Sequence, residues 1–327
     1  MNVERFKNVI SVLKIVVGRS DEVFRKIVID RGIVKAEDGC LRAFFKTEDL
    51  KIDKIAIPLE TIWAFLRHSS GKMDIGFVED SLVISSKDSK LVLKNPLRIG
   101  VDEIVDFEDL FEVSDLRIGL DYVSKPLDED DFVEFHSGRD GTFSFARSYG
   151  ISSAYVFEGD SKLNISVSIP YQSLRRLVKA LQEIEGKTLI GFDGDLVIRI
   201  DGWTFRMCSE IVGGKNPPRR FDGVRIERRK ILDVVELGAD LKAFGTLTIS
   251  GRSLRSEGRG KGVEFSRIVE LESDLGIEAE VEVNFRKIRS YLSGMNSRYV
   301  YLKLEKGFLE ISDTRFKRFI FLKERRT

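Results

Sequence analysis

The chain is poor in the residues that build stapled, metal-bound or histidine-catalysed folds, with two cysteines and two histidines among 327 residues. Cys40 and Cys208 have no metal-ligand spacing and are expected to be reduced core thiols. His68 and His136 stand far apart in the sequence, with no evident nucleophile or carboxylate partner. No apolar run approaches the roughly 20 residues needed to span a bilayer. The opening stretch MNVERFKNVISVLKIVVGR interleaves charges with a helical apolar period, unlike the basic-then-apolar layout of a secretory leader. A cytoplasmic protein with no membrane partner is expected. An excess of one charge is also missing: 54 Lys and Arg face 53 Asp and Glu, for a net charge of +1. Bulk charge therefore argues neither for nor against a polyanionic partner.

Motifs of catalysis are scarce as well. Gly258-Arg259-Gly260-Lys261-Gly262 lacks the Ser/Thr and the preceding glycine of a phosphate-binding loop. Asp128-Glu129-Asp130-Asp131 reads as a solvated acidic loop, because adjacent carboxylates on an extended chain do not converge on one ion. There is no zinc-ligand set, recognition-helix motif or aromatic RNA-binding signature. No enzymatic activity, cofactor or metal is expected.

What the chain does have is a repeat. IAIPLETIWAFLRHSS begins at Ile55, VSIPYQSLRRLVKAL at Val167 and VEVNFRKIRSYLSGM at Val281, at steps of 112 and 114 residues. Each reads as a short strand breaking into a helix. Each is followed by three alternating strands with Gly/Asp/Ser turns, the pattern of an antiparallel meander with one wet face. IGF recurs at Ile75–Phe77 and Ile190–Phe192. The first half of each unit repeats in part: a helix, then three strands. In the middle unit that helix can only be LRIGLDYVSK, ahead of Pro126. A period near 110 residues is domain-sized, far longer than solenoid or propeller repeats. The expectation is an α+β chain of three repeated domains, 1–110, 111–223 and 224–327, each made of two βαβββ halves.

The helices separate apolar from basic faces. Leu174, Leu177, Val178 and Leu181 form one core face, and Phe285, Ile288, Leu292 and Met295 another. In the first copy, Leu59, Ile62, Trp63 and Leu66 pack. Five helical segments (1–19, 58–72, 169–187, 225–242 and 284–298) carry +11 together, so the remainder carries −10. Basic helices and acidic strands suit a surface that meets phosphates without reading bases. Candidate phosphate contacts are Lys7, Lys14, Arg67, Arg175, Arg176, Lys179, Arg229, Lys230, Arg286, Lys287 and Arg289.

With these features the chain resembles the bacterial DNA sliding clamps, the β subunits of the replicative polymerase. CSEIVGGKNPPRRF resembles the family's R-hydrophobic-G-x-F-P-D-Y segment, with Asn-Pro-Pro in place of Phe-Pro-Asp. VEVNFRKIRSYLSGM resembles its strand-to-helix start in domain three, and SIPYQSLRRLVKAL its P-x-x-x-L-x-x-L in domain two. The resemblance implies the clamp fold, with helices lining a ring and antiparallel sheets outside. It also implies a homodimer around double-stranded DNA, a tethered DNA polymerase and a clamp-loader ATPase. Twelve helices, each about 10 Å across, make a ring of roughly 120 Å circumference and a hole of about 28 Å, wide enough for a duplex of about 20 Å. A partner-peptide cleft is implied near Ile151, Val224, Ile226, Phe319 and Phe321. Arg147-Ser148-Tyr149-Gly150-Ile151 and the tail FLKERRT depart from the family's pocket segments, so pocket chemistry is expected to differ. The competing readings are a trimeric or hetero-oligomeric ring, a non-DNA scaffold of repeated domains and, from another class, a metal-dependent DNA-processing enzyme.

Overall fold

A computed structural model describes residues 1–18, 25–101, 106–113, 116–123, 132–137, 142–146, 151–158, 165–212, 223–295, 297–305, 307–313 and 318–323. The order helix, three strands, linking strand, helix, three strands occurs three times. First come α1 (Val3–Val17), β1 (Lys26–Asp30), β2 (Ile33–Glu37), β3 (Leu41–Lys46), β4 (Ile55–Pro58), α2 (Leu59–Arg67), β5 (Asp74–Val78), β6 (Ser81–Ser85) and β7 (Lys90–Lys94). A short β8 (Phe111–Glu112) leads into α3 (Leu116–Val123), β9 (Phe132–Ser137), β10 (Thr142–Ala146), β11 (Ile151–Glu158), β12 (Ile165–Pro170), α4 (Tyr171–Gln182), β13 (Leu189–Phe192), β14 (Leu196–Ile200) and β15 (Trp203–Met207). After β16 (Glu210–Ile211) and β17 (Val224–Glu227) follow α5 (Arg228–Asp240), β18 (Phe244–Ser250), β19 (Ser253–Gly260), β20 (Val263–Glu270), β21 (Glu278–Asn284), α6 (Phe285–Gly294), β22 (Tyr299–Glu305), β23 (Phe308–Asp313) and β24 (Arg318–Lys323). α3 lies where the sequence placed it.

The compact pieces do not coincide with the repeats. One unit comprises 1–113 with 172–209, the other 114–171 with 210–327. Sheet pairing explains the difference. In the first unit β3 pairs with β15, making an eight-stranded sheet in the order β4-β1-β2-β3-β15-β14-β13-β8. In the second, β11 pairs with β24 within a nine-stranded sheet, β16-β12-β9-β10-β11-β24-β23-β22-β17. The middle copy thus lends its second helix and meander to one unit and its first to the other. Two smaller sheets complete the fold, β5-β6-β7 in the first unit and β20-β19-β18-β21 in the second.

The predicted apolar faces are buried. Leu174, Leu177, Val178 and Leu181 line the inner side of α4, and Phe285, Ile288 and Leu292, with Met295 just beyond the helix, that of α6. In α2 the buried set is Leu59, Ile62, Phe65 and Leu66, while Trp63 is only half-buried. Helices α5 and α6 approach closely at Gly238, where an added Cβ would lie 2.5 Å from Phe285 and 2.6 Å from Phe265. The Gly-rich stretch at 258–262 is a hairpin: Lys261 and Gly262 both take positive φ, as a two-residue primed turn between β19 and β20 requires.

The cysteines correct the sequence reading. They are not reduced core thiols: Cys40 and Cys208 are half-buried and joined by a disulfide. Cross-strand pairing of β3 with β15, invisible to local spacing, brings them together, and the Cys208 N–H donates to the Cys40 carbonyl at 2.9 Å.

Asp30, buried at the end of β1, anchors the chain that returns from β7. Its carboxylate accepts from the Val101 N–H at 3.0 Å and from Arg31 Nε at 3.1 Å. Burial alone pushes its pKa up, but these donors outweigh it and hold the carboxyl below its ordinary value. A depressed folded pKa stabilises the protein above the ordinary carboxylate range, and that contribution is lost as pH falls through the folded value. Asp30→Asn is expected to cost about 1–3 kcal/mol at neutral pH. In urea titrations the gap from wild type should close progressively below about pH 4. A gap independent of pH would refute this role.

Candidate nucleic-acid interface

The strand-to-helix steps fix where the basic side chains emerge. On α4 the apolar positions turn inward, leaving Arg175 and Lys179 exposed on the outer face. α4 and α6 each carry three basic residues and no acid, whereas α2, α3 and α5 are electrically balanced. α1 carries three basic residues against Glu4, so the second helices of the middle and last copies are the ones whose positive charge no acid on the same helix offsets.

The expected contacts sort into exposed and engaged groups. Arg67, Arg175, Lys179, Arg229 and Arg286 are exposed, and Lys230 and Lys287 half-exposed. Lys7 lies 3.8 Å from Glu4, and Lys14 sits 4.3 Å above the Trp63 ring, so the charge of α1 is largely spent within its own unit. Arg289 pairs with Asp240 at the end of α5. Arg176 pairs with Asp38 in the turn before β3, and its burial pushes the guanidinium pKa down. α5 and α6 pack on each other, which brings Arg229, Lys230, Arg286, Lys287 and Arg289 onto one helix pair. Arg228 is used internally, donating to the Leu292 carbonyl at 2.8 Å and to that of Met295, where α6 ends.

The five cleft candidates divide. Ile151 of β11 is registered opposite Leu322 of β24, Phe319 opposite Ala154 and Phe321 opposite Ser152, so three lie on two neighbouring strands. Their side chains fall outside the described residues. Val224 and Ile226 belong to β17, separated from β24 by β22 and β23, and pack into the core beneath α5 and α6. Ile226 is 5% exposed, a core residue rather than a lining of an open surface. The departing segment 147–150, the acidic loop at 128–131 and residues 324–327 lie outside the described set.

His136 also corrects the sequence reading, because it has both partners that were not evident there. It is buried on β9, with Nδ1 2.9 Å from Ser166 Oγ and Nε2 3.0 Å from Glu134. The register β9–β12 places Ser166 directly opposite it. His68 ends α2 and is exposed. Among the described residues no cluster of three His, Cys, Asp or Glu side chains is arranged to hold a metal ion. No helix among them is long and apolar enough to cross a membrane.

A second polar assembly escaped the sequence entirely. Arg42 of β3 and Arg206 of β15 face each other across the sheet. The turn Asp193-Gly194-Asp195 neutralises both: Asp195 pairs with Arg42 and approaches Arg206 at 3.9 Å, and Asp193 meets Arg206 at 2.7 Å. These partners are up to 153 residues apart, and only the cross-copy register places them together.

No family model and no curated protein matches this sequence. Solved structures do match. The chain is similar to a putative DNA polymerase III beta subunit from Eubacterium rectale, with 14% identity, TM-score 0.79 and coverage of 100% and 99% of the two chains. The Bacillus subtilis DNA polymerase sliding clamp gives 12%, 0.78, and 100% and 98%. The Helicobacter pylori beta clamp bound to a DNA ligase peptide gives 15%, 0.72, and 100% and 99%. Over its full length, the chain has the α+β fold of the bacterial DNA polymerase III beta clamps.

Proposed function

We propose that this protein is a DNA sliding clamp: a homodimeric ring of three domains per chain, 1–110, 111–223 and 224–327, that encircles duplex DNA and tethers a polymerase. A ring holds its substrate topologically, so contacts to phosphates need be neither tight nor base-specific. The exposed cations of α4, α5 and α6 suit that task, and the mechanism requires no catalysis. The peptide bound by the Helicobacter pylori clamp suggests a corresponding partner peptide here, at the β11–β24 strands carrying Ile151, Phe319 and Phe321. An ATPase loader is needed to place a closed ring on DNA.

One observation supports assembly of copies into a ring. Within the chain, the third strand of one copy's first meander pairs antiparallel with the third strand of another copy's second meander, as β3–β15 and again as β11–β24. The remaining strands of these two kinds are β20 and β7, outer strands of their sheets. Pairing β20 of one copy with β7 of a second uses both and is heterologous, the type of contact that closes rings.

The register follows from the existing junctions. Leu41 is the second residue past the centre of its hairpin and faces Met207, the sixth past its own. The same count sets Val263 opposite Leu93, Glu264 opposite Val92 and Phe265 opposite Leu91. The β11–β24 junction obeys the rule to within one residue. The faces agree: Phe265 packs against its core, and Leu91 lies beside Ala64 and Phe65 of α2. A slip by one residue would set Phe265 against outward-facing Val92 instead. On the outer face Glu264 then lies diagonally between Lys90 and Lys94, within reach of both.

Three outcomes are expected. With a loading ATPase, the protein should remain on nicked circular duplex and be lost on linearisation; equal retention on both forms, or cleavage with magnesium, would exclude a clamp. Replacing Arg175, Lys179, Arg229 and Arg286 by glutamine should lower the slope of log K against log salt by up to about 0.9 per lost phosphate contact, with assembly unchanged. An unaltered slope would remove these residues from the interface. Finally, Val92→Cys with Glu264→Cys should form a covalent dimer on mild oxidation while either single variant does not. Failure of the double variant to cross-link would reject the register.

A further inference from the structure

The junctions within the chain share a backbone pattern but differ in what reinforces it. Each contains five residue pairs in register. At β3–β15 the ladder continues one rung beyond Leu41 and Met207, to Cys40 and Cys208, whose disulfide closes it. The chain has two cysteines, so neither β11–β24 nor a junction between β7 and β20 has such a bond. At the position equivalent to Cys40 and Cys208, counted from the hairpin centres, the β20–β7 junction has Gly262 and Lys94.

Polar contacts surround the bridge. Arg42 and Arg206, two rungs in from it, are like charges directly opposed across the strands, an arrangement that drives strands apart unless neutralised. Asp193 and Asp195 supply the neutralisation from a third segment. Asp38, two residues before Cys40, is held by Arg176 of α4. That side chain also lies against the end of α1, where a Cβ on Gly18 would be 2.9 Å from its Nε. Strand, hairpin turn and both helices of this region are thus tied to the same few ångströms of ladder.

We propose that the Cys40–Cys208 bridge makes β3–β15 a covalently fixed joint, so that strain from opening the ring falls on β11–β24 and on the junction between copies. The fixed joint stands on the geometry of one unit alone, while the redistribution of strain rests on the ring reading above. Reduction by dithiothreitol transfers two electrons and two protons to the bridge, giving two thiols and the cyclic disulfide of the reagent. Both cysteines are half-buried, so the reagent has access.

The test uses the full chain, purified without reductant. Thiol titration in denaturant should find no free thiol before reduction and two after it. Hydrogen exchange in the free protein should show β3 and β15 amides opening roughly tenfold faster or more once reduced, with β11 and β24 unchanged. Cys40→Ser with Cys208→Ser should match the reduced wild type, and chemical reduction gives the same comparison if that variant folds poorly. Two free thiols in the untreated protein, or exchange at β3 and β15 indifferent to reduction, would overturn the fixed joint. For the ring, the lifetime on nicked circular DNA should shorten several-fold on reduction, and a lifetime unaffected by reduction would overturn the assignment of strain. The exchange measurement needs no DNA, so failure to load at all would count against the clamp reading and leave the joint standing.

Discussion

Hydrogen-bonding groups along a strand edge require partners, and in this chain the partners come from a different copy of the repeat. A three-stranded meander backed by one helix leaves its last strand with a row of unpaired amides and carbonyls. β3 and β11 solve this by accepting β15 and β24. The consequence reaches the level of compact units: the middle copy is divided, because each of its halves shares a sheet with a neighbour. The sequence repeat and the unit of packing are therefore different objects, and the second arises from the first through edge pairing.

Electrostatics follows the same scaffold. Basic residues are numerous on the helices, but the fold sorts them into those that stabilise the protein and those left to face outward. Lys14 covers Trp63, Arg228 caps the carbonyl end of α6, and Arg176 secures a hairpin turn. Arg175 and Lys179, neighbours of Arg176 on the same helix, project freely. One turn of α4 thus combines an internal tie with an external charge, and total helix charge overstates the part available to a polyanion.

Local pattern was legible and long-range register was not. The helix and strand order, α3 with its short span before Pro126, and the inward faces of α4 and α6 all follow from periodicity within a dozen residues. The helical period puts Trp63 on the face of Ile62 and Leu66, but Phe65 takes the buried place. The disulfide, the pair of opposed arginines and the Ser166–His136–Glu134 contact depend on which strand lies beside which. Their partners are separated by 168, 164 and 30 residues, and nothing in the spacing announces them. The family likeness that implies Val224 and Ile226 near the cleft does not specify burial, whereas β17 packs Ile226 into the core with Val224 against it.

At Gly238 a missing side chain lets Phe265 and Phe285 meet edge to face beneath two crossing helices, their ring centroids 5.4 Å apart. Three positions, one on α5, one on β20 and one on α6, consequently share a single allotment of volume. Evolution can enlarge any one of them only by shrinking another, so the trio should vary in concert among descendants of this sequence.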